Sequence, residues 1–190
     1  MAIHYNFTEK QKEALATLLD NLALLKWACT VLIEANNILH LNEPLAKKWE
    51  DIVRNLVDYP SNENGFMIGS EIPFNKSHRH YSHLLMFYPL HLISLNEKDY
   101  SEKIKKTFAH WIGFKGALEG YSYTGAASMA ATMGDGDESL KYLDYLKKYI
   151  KFNTMYSEGS TVIETPLSCA ESIHYMLLQR MIEVLEHDET

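Results

Sequence analysis

The feature that most constrains this chain is a long run of apolar residues at helical spacing. Leu15, Leu18, Leu19, Leu22, Leu25, Cys29, Leu32 and Ile33 recur every three or four residues. That interval lines one face of an α-helix, whereas the faces of a strand alternate every two residues. Thr8 with Gln11 three residues later forms a capping box ahead of the run, so the spacing predicts one helix continuing to Leu39. The same period returns in Leu45, Trp49, Ile52, Val53 and Leu56, with Asn42 as the expected cap and Pro44 in the first turn. It returns again in a short segment from His80 to Tyr88, which Pro89 ends, and in Ile104, Phe108 and Trp111 after Asp99. Ala126, Ala127, Ala130 and Ala131 mark a small-residue helix. Gly134 closes it, and Asp137 is read as the cap of a helix carrying Leu140, Leu143, Leu146 and Ile150. Thr165 as a cap and Pro166 in the first turn open a last helix to about Leu185. The pattern predicts an all-α fold of about seven helices in antiparallel hairpins, within one domain spanning 1–190.

Bulk properties remove several classes of function. Hydrophobic residues make up 46% of the chain, enough for a core. The net charge of −7 comes with no basic stripe, which argues against a nucleic-acid partner. No apolar stretch reads as long enough to span a bilayer, and Met1–Phe7 shows no secretion pattern, so no membrane partner is expected. Cys29 and Cys169 lie inside helical patterns and read as free buried thiols.

Two polar loops carry the chemistry-bearing residues. The first is His78-Arg79-His80-Tyr81-Ser82-His83-Leu84. Three imidazoles beside an arginine suit a metal site, a polar substrate subsite, or a structural knot that pins the long loop from Tyr59 to Ser77. No cysteine, and no acid nearer than Glu71, completes a metal-ligand set, so no metal or other cofactor is expected. Phe66, Met67 and Phe74 are the wall residues the long loop offers. The second loop runs from Tyr156 to Pro166 and contains Glu158, read as solvated, and Glu164. A carboxylate at a helix start is favoured in its charged form, which suits a base; the plainer alternative is an ordinary first-turn acid. Glu171 and His174 form a lone Glu-x-x-His pair on the last helix.

Taken together, these loops resemble the barrel domain of glycoside hydrolase family 95, the α-L-fucosidase and α-L-galactosidase family. The resemblance is carried by His78-Arg79-His80-Tyr81-Ser82-His83-Leu84 followed by Tyr88-Pro89, and by Gly134-Asp135-Gly136-Asp137. Ile163-Glu164 running into the helix with Met176-Leu177-Leu178-Gln179 adds to it, and Asp20-Asn21 with Leu24 and Leu25 loosely resembles the start of an earlier barrel helix. The resemblance implies the C-terminal part of an (α/α)6 toroid, a carbohydrate ligand and inverting glycoside hydrolysis. It implies Glu164 as the base, and His78, Arg79, His80 and His83 as substrate-binding residues.

The departures set further expectations. The family's aspartate is Glu164 here, and its Gly-Asn is Thr165-Pro166. The family's general acid and water-holding asparagines lie upstream of Asp20. The chain is therefore expected to be a truncated or divergent member, inactive by itself, of an exported or periplasmic parent. The alternative is a non-catalytic carbohydrate-binding or protein-interaction module. A partial ring leaves apolar edges, so a two-fold homodimer is expected.

Overall fold

The computed structural model describes residues 18–152, 156–158 and 162–178. Among these residues the chain is all-α apart from one two-residue hairpin, and it divides into two compact units, Met1–Leu118 and Glu119–Thr190. The Thr8 capping box and the tail beyond Leu178 lie outside the described residues.

The first unit is built on α1 (Leu19–Leu39), α2 (Ala46–Asn55) and α3 (Lys98–Gly113). Between Leu19 and Leu39 there is neither glycine nor proline, and leucine and alanine dominate. The Leu19 N–H, which has no partner inside the helix, donates to the Ile68 carbonyl at 2.8 Å and so ties the helix start to the long loop. The helix stops where His40 turns left-handed at φ 52°, its N–H closing on the Asn36 carbonyl. Leu19, Leu22, Ala23 and Cys29 are buried, and α1 packs on α2. At 21 residues and a mean hydropathy of 1.3, α1 is long and apolar enough to cross a membrane by length and composition. This corrects the expectation that no such stretch exists. Asn42 is not the cap of α2: it lies in the connector at φ 53°, and Pro44 precedes a helix that begins at Ala46.

The loop after α2 is more ordered than its sequence suggests. β1 (Ser61–Asn62) pairs antiparallel with β2 (Gly65–Phe66). Gly65 sits at φ +104°, and a Cβ there would overlap Thr107 Oγ1. The Phe66 N–H donates to that same hydroxyl at 2.7 Å, while the hydroxyl donates to the Lys103 carbonyl at 2.6 Å. The hairpin is thereby pinned to α3, which buries Ile104, Thr107, Phe108 and Trp111. The segment expected to be a helix from His80 to Tyr88 is instead a single 3-10 turn, Ser82–Leu84, followed by turns and a cis Tyr88–Pro89 bond. It still supplies the core, with Leu84, Met86, Phe87 and Tyr88 at most 2% exposed.

The second unit contains α4 (Gly120–Thr132), α5 (Gly136–Asp144), a 3-10 turn at Tyr145–Tyr149 and α6 (Glu164–Leu177). α4 is its buried centre and contacts both α5 and α6. Its small residues allow α6 to approach closely, and the approach is recorded in hydroxyl contacts: Ser128 Oγ and Ser172 Oγ lie 2.9 Å apart, and Ser172 Oγ is 2.9 Å from the carbonyls of Thr124 and Ser168. The cap of α5 is Asp135, whose side chain accepts the Glu138 N–H at 2.9 Å; Asp137 lies in the first turn. Thr165 does not cap α6. The helix begins at Glu164 and ends at Leu177, where Leu178 becomes extended, short of Leu185.

Candidate functional site

In the first unit the histidine motif closes one side of a cleft of about 400 Å³. Asp20, Phe74, Lys76, His78, His80 and His83 all line it, with Ile68 and Leu18 adding apolar wall. Phe74, His78 and His83 are held from behind. Phe74 is buried, stacks on His83 with centroids 4.4 Å apart, and meets His110 and Phe114 edge-on. The Phe74 carbonyl lies 2.8 Å from His110 Nε2. Ser77 Oγ donates to the Phe114 carbonyl and accepts the Ala117 N–H at 2.7 Å. The buried Trp111 indole donates to the His78 carbonyl at 3.0 Å. The His80 N–H donates to His78 Nδ1 at 3.1 Å, which aims the His78 ring. The loop's polar backbone is thus anchored on the far end of α3, and its imidazoles are left at the cleft.

The three histidines differ electrostatically. His83 is 2% exposed, and its Nε2 has no hydrogen-bond partner. Burial, then the nearby His110 and His78, push its pKa down to about 3, so it is a neutral ring at physiological pH. His80 is exposed at its surface, yet burial of part of the ring, then Arg79 and His78, also lower it. Arg79 is exposed and does not line the cleft. Among the described residues no group of three His, Cys, Asp or Glu side chains is arranged to hold a metal ion.

In the second unit the loop Tyr156–Glu158 lies against the start of α4. A Cβ on Gly120 would overlap Tyr156 Oη and Glu158 Oε1, so only glycine admits this packing. Glu158 is not a solvated residue: it is half-buried, and its Oε1 accepts from Tyr156 Oη and from Thr165 Oγ1, the latter at 3.0 Å. Burial and then the bond to Glu158 raise the Tyr156 phenol. Tyr149 Oη donates to Glu119 Oε2 at 2.7 Å beside it. Thr165 is fully buried, and through it Glu158 fixes the first turn of α6. Glu164, the first residue of that helix, is exposed. Glu171 and His174 are also exposed on α6, and Cys169 is a half-buried free thiol rather than a buried one.

The sequence matches the model of the glycosyl hydrolase family 95 catalytic domain over residues 4–172. The chain belongs to glycosyl hydrolase family 95. No curated protein matches it. Family membership makes the histidine motif and the α6 start the segments to weigh first. The structure brings His78, His80 and His83 to one cleft; Glu164 belongs to the other unit. Asp20 and His110 were not singled out from the sequence as site residues. The only signal Asp20 carried was the resemblance of Asp20-Asn21 to the start of a barrel helix; it falls in the first turn of the observed helix, not of the one predicted from Thr8. His110 carried none, because its position on α3 is ordinary and only the fold sets it against Phe74.

Proposed function

We propose that this family 95 chain binds a sugar ring in the histidine cleft, and that Glu164 is the base of the inverting hydrolysis its family membership suggests. One observation carries the reading: His78, His80 and His83, with Asp20, meet at one cleft that the apolar Phe74 and Ile68 also line. A pyranose has an apolar ring face and a rim of hydroxyls, and sites for such ligands combine apolar walls with a few convergent polar groups. Neutral imidazoles both donate to and accept from hydroxyls, and a carboxylate accepts from two at once.

Turnover by this chain alone stays near background on the same reading. Inversion needs two carboxyl groups about 6.5–9.5 Å apart, one acting as proton donor. Asp20 is the carboxyl that lines the histidine cleft among the described residues, and its Oδ1 already accepts the Asn21 N–H at 2.9 Å. Losing one partner of a proton-transfer pair removes about 10²–10⁴-fold of rate. The test is an assay with aryl α-L-fucosides, α-L-galactosides and β-L-arabinosides, run beside a Glu164→Gln variant. Both proteins are expected at background. Turnover that vanishes in the variant overturns the inactivity and keeps the base; turnover indifferent to the variant overturns the base.

A further inference from the structure

α1 is apolar on two opposite faces. Its inner face holds the buried Leu19, Leu22, Ala23 and Cys29. Its outer face carries Leu24, Leu25, Val31, Leu32, Ile38 and Leu39, which remain 41–66% exposed. The outer residues repeat at intervals of seven, as 24, 31, 38 and 25, 32, 39, with Ala28 and Ala35 between them. At 3.6 residues per turn they form one continuous stripe, and the two charged residues within its length, Lys26 and Glu34, fall off it.

We propose that this stripe is a self-association face: two copies of the chain pair through α1, antiparallel, about a two-fold axis. A two-fold interface must be complementary to itself. Reversing α1 about the point between Val31 and Leu32 sets Leu24 against the partner's Leu39, Leu25 against the partner's Ile38, Ala28 against the partner's Ala35, and Val31 against the partner's Leu32. Every apolar residue meets another. The large side chains sit at the ends and the centre, and the two alanine contacts between them let the helices close. The stripe offers about 500 Å² per copy, on the order of 1,000 Å² for the pair, which reaches the low end of specific interfaces, where weak, reversible pairs lie.

A bilayer is the other environment that accepts an apolar helix of 21 residues. Two observations favour the second copy. α1 packs on α2 and its start is tied to Ile68, so lipid cannot surround the helix along its whole length. A helix lying on a membrane surface draws on flanking cations, whereas α1 has Lys26 alone and the chain carries a net charge of −7. None of the stripe residues lines the histidine cleft, so the pairing is independent of the sugar-binding reading.

Sedimentation equilibrium of the full chain over roughly 1–100 μM is the test. The expected result is reversible dimerisation of the 21.9 kDa chain with a micromolar Kd. Leu25→Glu and Ile38→Lys should each weaken it at least tenfold, and the double variant, which sets opposite charges across the pair, should recover most of the loss. If a charged variant loses its helical circular dichroism, oxidative cross-linking decides instead. An Ala28→Cys/Ala35→Cys double variant should give a reducible dimer, and Ala28→Cys alone far less. A monomeric wild type, a dimer indifferent to both charges, an absent cross-link, or co-flotation with phosphatidylcholine–phosphatidylserine vesicles that Leu25→Glu abolishes would each overturn the proposal.

Discussion

Replacing His83 with phenylalanine should flatten the acid dependence of stability of the first unit. His83 lies in the core with its ring stacked on Phe74, its Nε2 without a partner, and its pKa pushed down to about 3. In the unfolded chain the same imidazole titrates near 6.5. Between those values the unfolded state binds the extra proton, so stability rises with pH across that window and is lost as pH falls through it. Each pH unit inside the window is worth about 1.36 kcal/mol, so acidification from pH 7.5 to 5 costs about 2 kcal/mol through this one residue. A phenylalanine keeps the stacked ring and deletes both the titration and the unpaired nitrogen. At pH 7.5 the variant should lie within about 1 kcal/mol of wild type, the loss of fit being offset by removal of a buried unpaired polar atom. At pH 5 it should be the more stable protein by about 2 kcal/mol. The other histidines are common to both proteins and cancel in the difference. Urea unfolding followed by tryptophan fluorescence reads the right unit, because Trp27, Trp49 and Trp111 all lie in it. Parallel stability–pH curves for the two proteins, or a His83 imidazole that titrates near 6.5 by NMR, would refute the reasoning.

Three further outcomes are expected. Gly65→Ala forces a side chain into a left-handed backbone and onto Thr107, and should cost the first unit more than about 2 kcal/mol by the same fluorescence assay. Ser172→Ala leaves the packing between α4 and α6 but strips a fully buried hydroxyl network, and should cost about 1–2 kcal/mol in far-ultraviolet circular dichroism melts, with Ser172→Val costing more through overpacking. Glu158→Ala releases Thr165 and Tyr156 together and should speed hydrogen exchange in the first turn of α6, whereas Glu158→Gln keeps an acceptor and should change it little.

Helical periodicity made most of the elements legible. The stripes through Leu19–Leu39, Ala46–Asn55, Lys98–Gly113 and Gly120–Thr132 are dense enough to announce helices, although none of Ala46–Asn55 is buried and Leu25 and Leu32 of the first stripe stay exposed. The ends were read less well, for local reasons. Asn42 and Thr165 are both good capping residue types, but Asn42 is spent on a left-handed turn and Thr165 on a buried bond to Glu158. The apolar segment through Leu84 and Tyr88 has the composition of a helix, yet its residues are taken up by the core around Trp111 and by the cis bond before Pro89. The hairpin at Ser61–Phe66 depends on Thr107, forty-one residues from Phe66, which no local pattern announces. For the candidate site, adjacency in sequence was enough to group His78, His80 and His83. The separate roles of those rings come from Phe74, His110 and Asp20, which only the fold brings to them.

Occupancy of the histidine cleft by a sugar is tested most directly by NMR of the imidazole groups in uniformly ¹⁵N-labelled protein, titrated with L-fucose, L-galactose and L-arabinose to tens of millimolar. At least one sugar should shift the His78 and His80 ring signals saturably, the His91 and His174 rings should not respond, and Asp20→Ala should weaken the binding. Ring signals of His78 and His80 that stay fixed with all three sugars, or that move no more than those of His174, would contradict sugar binding at this cleft.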